Sequence, residues 1–216
     1  MAGEDSIRYK QGRSSHINTA NTITILRYPL LVFIVWLLYQ ESRAGKNAAV
    51  GLIILLILMD TLDGVVARRR HETTLLGSAL DIATDRAVEI VLWVVYAHLR
   101  LIPVAIPLVV IIRGMLTDSI RAVALQHGIS AHQMMRTTLG KWLVASPPMR
   151  TGYAIVKIVA FVTLALTLAL QANNLAWTGV YQVAQVVSWL AVVICLARGL
   201  PVLLESPSFF RSLEQD

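Results

Sequence analysis

The chain has 216 residues, 56% of them apolar and only 15% charged, with a mean hydropathy of +0.64. Soluble domains carry about a quarter charged residues, so the composition excludes an ordinary soluble protein and points to an integral membrane protein. The net charge of +6 fits cytoplasmic loops facing anionic lipid and calls for no nucleic-acid partner, and the single cysteine, Cys195, excludes an intrachain disulfide.

The first sixteen residues are polar and basic, with Arg8, Lys10 and Arg13 and no apolar core, so no cleavable signal peptide is expected. Residues 5–16 read equally as a short interfacial helix or a disordered tail. Six apolar stretches follow at about 22–40, 48–67, 78–98, 102–126, 152–171 and 176–199, each close to the ~20 residues needed to span a bilayer. The connection at 127–151 is the longest, and its Gly128, Pro147 and Pro148 disfavour a continuous helix. The expected fold is an all-α membrane protein of six transmembrane helices. It forms one domain over 1–216, with a segment at 1–20, a core at 21–200 and a tail at 201–216.

Lysine and arginine counts set the orientation. The N-terminus, the 68–71 turn, the long loop and the C-terminal end hold eleven, against Arg43, Lys46 and Arg100 on the other side. Both termini are therefore expected in the cytoplasm, with the chain in the inner (cytoplasmic) membrane.

Several charges remain inside the apolar stretches: Asp60, Asp63, Asp81, Asp85, Glu89 and Asp118, with Arg27, Arg86, Arg113, Arg121 and Lys157. A charge at a helix centre costs on the order of 3 kcal/mol even on lenient insertion scales. Asp60 and Asp63 are three residues apart near the cytoplasmic end of the second helix, and Asp81 and Asp85 are four apart near the start of the third. Each pair shares a helical face, and a short turn joins the two helices, so the four carboxylates converge. Something positive must sit among them. Ion pairing to Arg68, Arg86 or Arg113 is one answer. An all-oxygen, carboxylate-rich set also suits Mg²⁺ or Mn²⁺.

Gly64 allows either a ligand or a neighbouring helix to come close. Arg68 is placed to reach phosphate oxygens, and Thr74 to donate to phosphate or to cap the third helix. Asn21 reads as a helix cap and Thr24 as a packing residue.

Asp60, Asp63, Gly64, Ala67, Arg68, Gly77, Asp81 and Asp85 fill every fixed position of the pattern D-x2-D-G-x2-A-R-x8-G-x3-D-x3-D. The chain thereby resembles the CDP-alcohol phosphotransferase family. The resemblance implies a six-helix membrane fold, usually a homodimer, with a polar cavity open to the cytoplasm. It implies transfer of a phosphatidyl group from CDP-diacylglycerol to an alcohol, with loss of CMP. It also implies one or two Mg²⁺ or Mn²⁺ ions on Asp60, Asp63 and Asp81, and Asp85 as proton acceptor and further metal contact. Gly64, Ala67, Arg68, Thr74 and Gly77 would line the CDP portion. Asn21 and Thr24, in the N-x2-T-x2-R arrangement "NTITILR", would face the nucleotide.

The acceptor is less fixed. Arg113 and Arg121 are eight residues apart on the fourth helix, and Gly140-Lys141 follow. Phosphatidylglycerophosphate synthases have a similar R-E-x6-R pair and a G-K-x-K-T segment. By that resemblance Arg113 and Arg121, with Lys141 or Arg150, would bind glycerol 3-phosphate. Gly114 stands where the acidic residue is usual, and no second lysine follows Lys141. Inositol phosphate, serine and inositol stay open as acceptors, and Arg113 has Asp118 or a motif aspartate as an alternative partner. An ion-coupled transporter is the rival of another class. Its carboxylates tend to lie near the midplane of repeated halves, whereas these cluster at one end and no repeat is visible.

Overall fold

A computed structural model describes residues 19–69, 75–126, 135 and 137–213. Seven helices occur among them: α1 (Thr19–Tyr39), α2 (Arg43–Arg69), α3 (Leu75–His98), α4 (Ala105–Gln126), α5 (Thr138–Ala145), α6 (Pro147–Ala172) and α7 (Thr178–Leu213). No strand occurs among the described residues. The six long helices coincide with the six apolar stretches. Residues 5–16, with their expected interfacial helix, lie outside the described residues.

Three helices are long and apolar enough to cross a membrane by length and composition: α1, α6 and α7. The other long helices, α2, α3 and α4, have 27, 24 and 22 residues. At about 1.5 Å per residue even the shortest reaches about 33 Å. Charged residues of the site lower their hydropathy.

The helix ends follow from local chemistry. After α3, Leu101 N donates to Tyr96 O and Arg100 N to Ala97 O, with Arg100 at φ 59°. After α6, Leu175 N donates to Leu170 O and Asn174 N to Gln171 O, with Asn174 at φ 55°. Both are Schellman stops, which satisfy the last carbonyls by one left-handed residue. The long connection departs from expectation. Thr137 caps α5 through its side chain and Ser146 caps α6. Pro147 and Pro148 then occupy the first turn of α6, where a missing N–H costs nothing. The helix is interrupted at Ser146, as the prolines lead one to expect, and α6 begins at Pro147, earlier than 152. At the other end α7 runs through Pro201 to Leu213, past the expected core boundary at 200.

Packing places α1 against α2 and α3, α6 against α2 and α7, and α4 against α3 and α7. Trp93, Tyr96, Leu92, Ile34, Leu38, Ile53, Leu56 and Leu164 form the fully buried centre. The Tyr96 hydroxyl is satisfied there by Phe161 O at 2.8 Å. Large apolar side chains such as Val32, Trp36, Ile112, Val186 and Leu204 point outward and are exposed. Helices that are apolar on both faces are membrane helices rather than surface helices of a soluble domain.

Candidate active site

Helices α1, α2 and α3 meet around the aspartates. Asp60, Asp81 and Asp85 each bring one carboxylate oxygen within 4.8 Å of the other two. Their side chains are about half-exposed, at 40%, 48% and 51%. Asp63, Gly64, Ala67 and Arg68 are in α2, but their side chains lie outside the described residues, as does Thr74 altogether. Gly77 is in the first turns of α3 and half-buried.

The positive group among the carboxylates comes from α1. Arg27 is buried, and its guanidinium lies 2.8 Å from Asp60, 2.9 Å from Asp85 and 3.8 Å from Asp81. This corrects the expected partners. Arg86 turns away to Glu89 and Asp118, at 3.2 and 2.9 Å, and Arg113 donates to Cys195 Sγ at 3.0 Å. Asp118 is therefore the partner of Arg86, not of Arg113. Asn21, Thr24 and Arg27 recur every third residue on one face of α1, and all three are buried. Asn21 lies inside α1 rather than capping it.

Three carboxylates gather around the one guanidinium of Arg27. The all-oxygen set of Asp60, Asp81 and Asp85 has the donor chemistry for a hard divalent cation.

Beside this cluster lies a cavity of about 230 Å³, lined by Ile82, Asp85, Arg86, Glu89, Arg113, Arg121, Tyr153, Lys157 and Arg198. Five cationic side chains face two carboxylates. Glu89 is buried and engages three neighbours: Tyr153 OH at 2.9 Å, Lys157 Nζ at 3.2 Å and Arg86 at 3.2 Å. Arg113, Arg121 and Arg198 make no salt bridge among the described residues. The Nε of Arg121 and of Arg198 is buried without a hydrogen-bond partner. Asp85 belongs to both the carboxylate cluster and the cavity wall.

Arg113 and Arg121 thus line one cavity with Asp85. Lys141, half-buried on α5, and Arg150, exposed on α6, do not line the cavity. Arg198, Lys157, Tyr153, Arg86 and Glu89 were missed. Arg198 counts in the sequence among the cytoplasmic charges of the C-terminal end. Glu89 and Lys157 stand in the sequence as membrane charges without a role, and Arg86 only as a candidate partner of the aspartates. Nothing in the sequence singled out Tyr153.

The fold and site define a helical membrane protein with a carboxylate cluster opening onto a cationic cavity. The family model described as CDP-alcohol phosphatidyltransferase matches residues 17–197, and the chain belongs to that family. Comparison with curated protein sequences finds no match. The protein is accordingly a transferase of phospholipid synthesis that moves a phosphatidyl group onto an alcohol. The chemistry of this family depends on a divalent metal, and Asp60, Asp81 and Asp85 form a carboxylate cluster in this chain.

Proposed function

We propose that the protein transfers the phosphatidyl group of CDP-diacylglycerol to glycerol 3-phosphate, giving phosphatidylglycerophosphate and CMP. The observation that carries the choice of a phosphorylated acceptor is the trio Arg113, Arg121 and Arg198, which make no salt bridge among the described residues and line a cavity that shares Asp85 with the carboxylate cluster. A largely buried arginine is costly unless an anion meets it, and a phosphate matches its forked donors.

In this mechanism Asp60, Asp63, Asp81 and Asp85 hold one or two Mg²⁺ or Mn²⁺ ions, which supply charge neutralisation at the diphosphate. Asn21, Thr24, Gly64, Ala67, Arg68, Thr74 and Gly77 accommodate the CDP portion. Arg113, Arg121 and Arg198 hold the acceptor phosphate. The acceptor hydroxyl attacks the phosphatidyl phosphorus. A new P–O bond forms, the P–O bond to CMP breaks, and the hydroxyl proton passes to the Asp85 carboxylate. A carboxylate is a weak base toward an alcohol, but it takes the proton as the transition state develops when it lies within hydrogen-bond reach. The position of Asp85 between cluster and cavity supports that role.

The six long helices are taken as six spans, with both termini and the site on the cytoplasmic side of the inner membrane, as the lysine and arginine asymmetry requires. A homodimer goes with this reading. An acceptor panel tests it. Purified protein with CDP-diacylglycerol and Mg²⁺ or Mn²⁺ is offered glycerol 3-phosphate, inositol phosphate, inositol and serine in turn. CMP release with glycerol 3-phosphate is expected. Release with inositol phosphate instead would keep the anion site and change the acceptor. Release with serine or inositol alone would refute the phosphate site.

A further inference from the structure

We propose that Gly199 and Cys195 of α7 are positioning residues that set Arg113, and through it the acceptor phosphate, in register with Asp85. The inference rests on the acceptor assignment above and adds two residues that touch no substrate.

Cys195 and Gly199 are four residues apart and share one face of α7, where Ala184, Ser188, Ala191 and Cys195 are all buried. Small residues on such a face let a neighbouring helix approach. At Gly199 the space has been used by a side chain instead. A Cβ built there would lie 2.5 Å from Cδ and 2.6 Å from Cγ of Arg113, with Nε at 3.5 Å. All three nearest atoms belong to the Arg113 side chain, and none to the backbone of α4. Carbon atoms pack at about 3.5–4.0 Å, so the arginine stem would have to move by about 1 Å.

It has little freedom to do so. Its root is fixed in α4, and its Nε donates to Cys195 Sγ at 3.0 Å. The residue is only 8% exposed. The stem is therefore held at both ends and lies in the notch that Gly199 leaves. The guanidinium emerges into the cavity from that notch. A methyl group at 199 would lift the stem, strain or break the sulfur contact, and displace the fork that meets phosphate. Cys195 contributes an acceptor at Nε. It leaves the two terminal nitrogens of Arg113, the pair that binds phosphate side by side, for the substrate.

The test uses the full-length protein with CDP-diacylglycerol and Mn²⁺. The KM for glycerol 3-phosphate and for CDP-diacylglycerol is measured, together with inhibition by inorganic phosphate. Misplacement of a binding group by about 1 Å costs up to about 10²-fold. Gly199→Ala is expected to raise the KM for glycerol 3-phosphate by about tenfold or more, with the CDP-lipid KM within about twofold of wild type. Inhibition by phosphate should weaken in parallel. Cys195→Ala should shift both in the same direction, and Cys195→Ser, which keeps an acceptor at Nε, should recover most of the loss.

If Arg113→Lys raises the acceptor KM while Gly199→Ala and Cys195→Ala leave it unchanged, the positioning role is wrong and the acceptor assignment stands. If Arg113→Lys also leaves it unchanged, the acceptor assignment fails and this inference with it. Should Gly199→Ala not fold, the contrast between Cys195→Ala and Cys195→Ser decides. Equal KM values for those two variants overturn the proposal.

Discussion

Glu89 is the carboxylate that holds Lys157, and replacing it tests how the cationic cavity is kept in order. Glu89→Leu removes a side chain that is 5% exposed and leaves the Lys157 ammonium, 21% exposed, without its carboxylate. The Tyr153 ring, 4.7 Å from Nζ, remains, and Arg86 keeps Asp118 at 2.9 Å. Breaking a buried ion pair from one side costs about 3–5 kcal/mol. Loss of the Tyr153 hydrogen bond adds about 1 kcal/mol, while the cation–ring contact offsets about 0.5–2 kcal/mol. A destabilisation of about 3 kcal/mol is expected, or roughly 6–12 °C in Tm for a chain of this size. Thermal unfolding in one detergent, followed by tryptophan fluorescence, reads it. Glu89→Gln keeps a partner for Tyr153 and should cost less. Adding Lys157→Met to Glu89→Leu should restore most of the stability, because an apolar pair replaces a buried ion pair at little cost. A single variant within about 2 °C of wild type, or a double variant as unstable as the sum of the two singles, would refute the reasoning.

Chelation with EDTA should abolish transfer, and Mg²⁺ or Mn²⁺ should restore it; full turnover in excess EDTA would exclude a metal on the aspartates. Asp85→Asn should lower turnover by about 10²–10⁴-fold while CDP-lipid binding persists, and a loss under about tenfold would remove Asp85 as the base. Arg27→Gln removes the guanidinium from among Asp60, Asp81 and Asp85, so Tm without divalent metal should fall, and added Mn²⁺ should recover more of it than in wild type. An unchanged Tm without metal would show that Arg27 does not balance that cluster.

The elements most legible in sequence were those with local signals. Apolar length fixes the six long helices. The i, i+3 and i, i+4 spacing of the aspartates fixes their faces, and their insertion cost marks them as a site. What sequence could not show depended on packing between distant segments. Arg68, Arg86 and Arg113 are the arginines that sequence offers as counter-charges beside a metal, but docking of α1 on α2 and α3 brings Arg27 there. Pro147 and Pro148 rule out a helix that continues through 146, but only the Ser146 cap makes them the first turn of α6. Arg198 reads as a charge at the C-terminal end because apolarity stops near 199, whereas α7 continues and that arginine lines the cavity. Glu89 and Lys157 were visible as costly charges, but their pairing depends on how α3 and α6 meet.

The most direct measurement is of the products. Purified protein, CDP-diacylglycerol and Mn²⁺ are incubated with and without glycerol 3-phosphate, and CMP and lipid are quantified by mass spectrometry. CMP and phosphatidylglycerophosphate should appear in equal amounts, only when acceptor and metal are both present. Absence of CMP, or CMP formed without a matching phosphatidyl product, would contradict phosphatidyl transfer to a phosphorylated alcohol at this site.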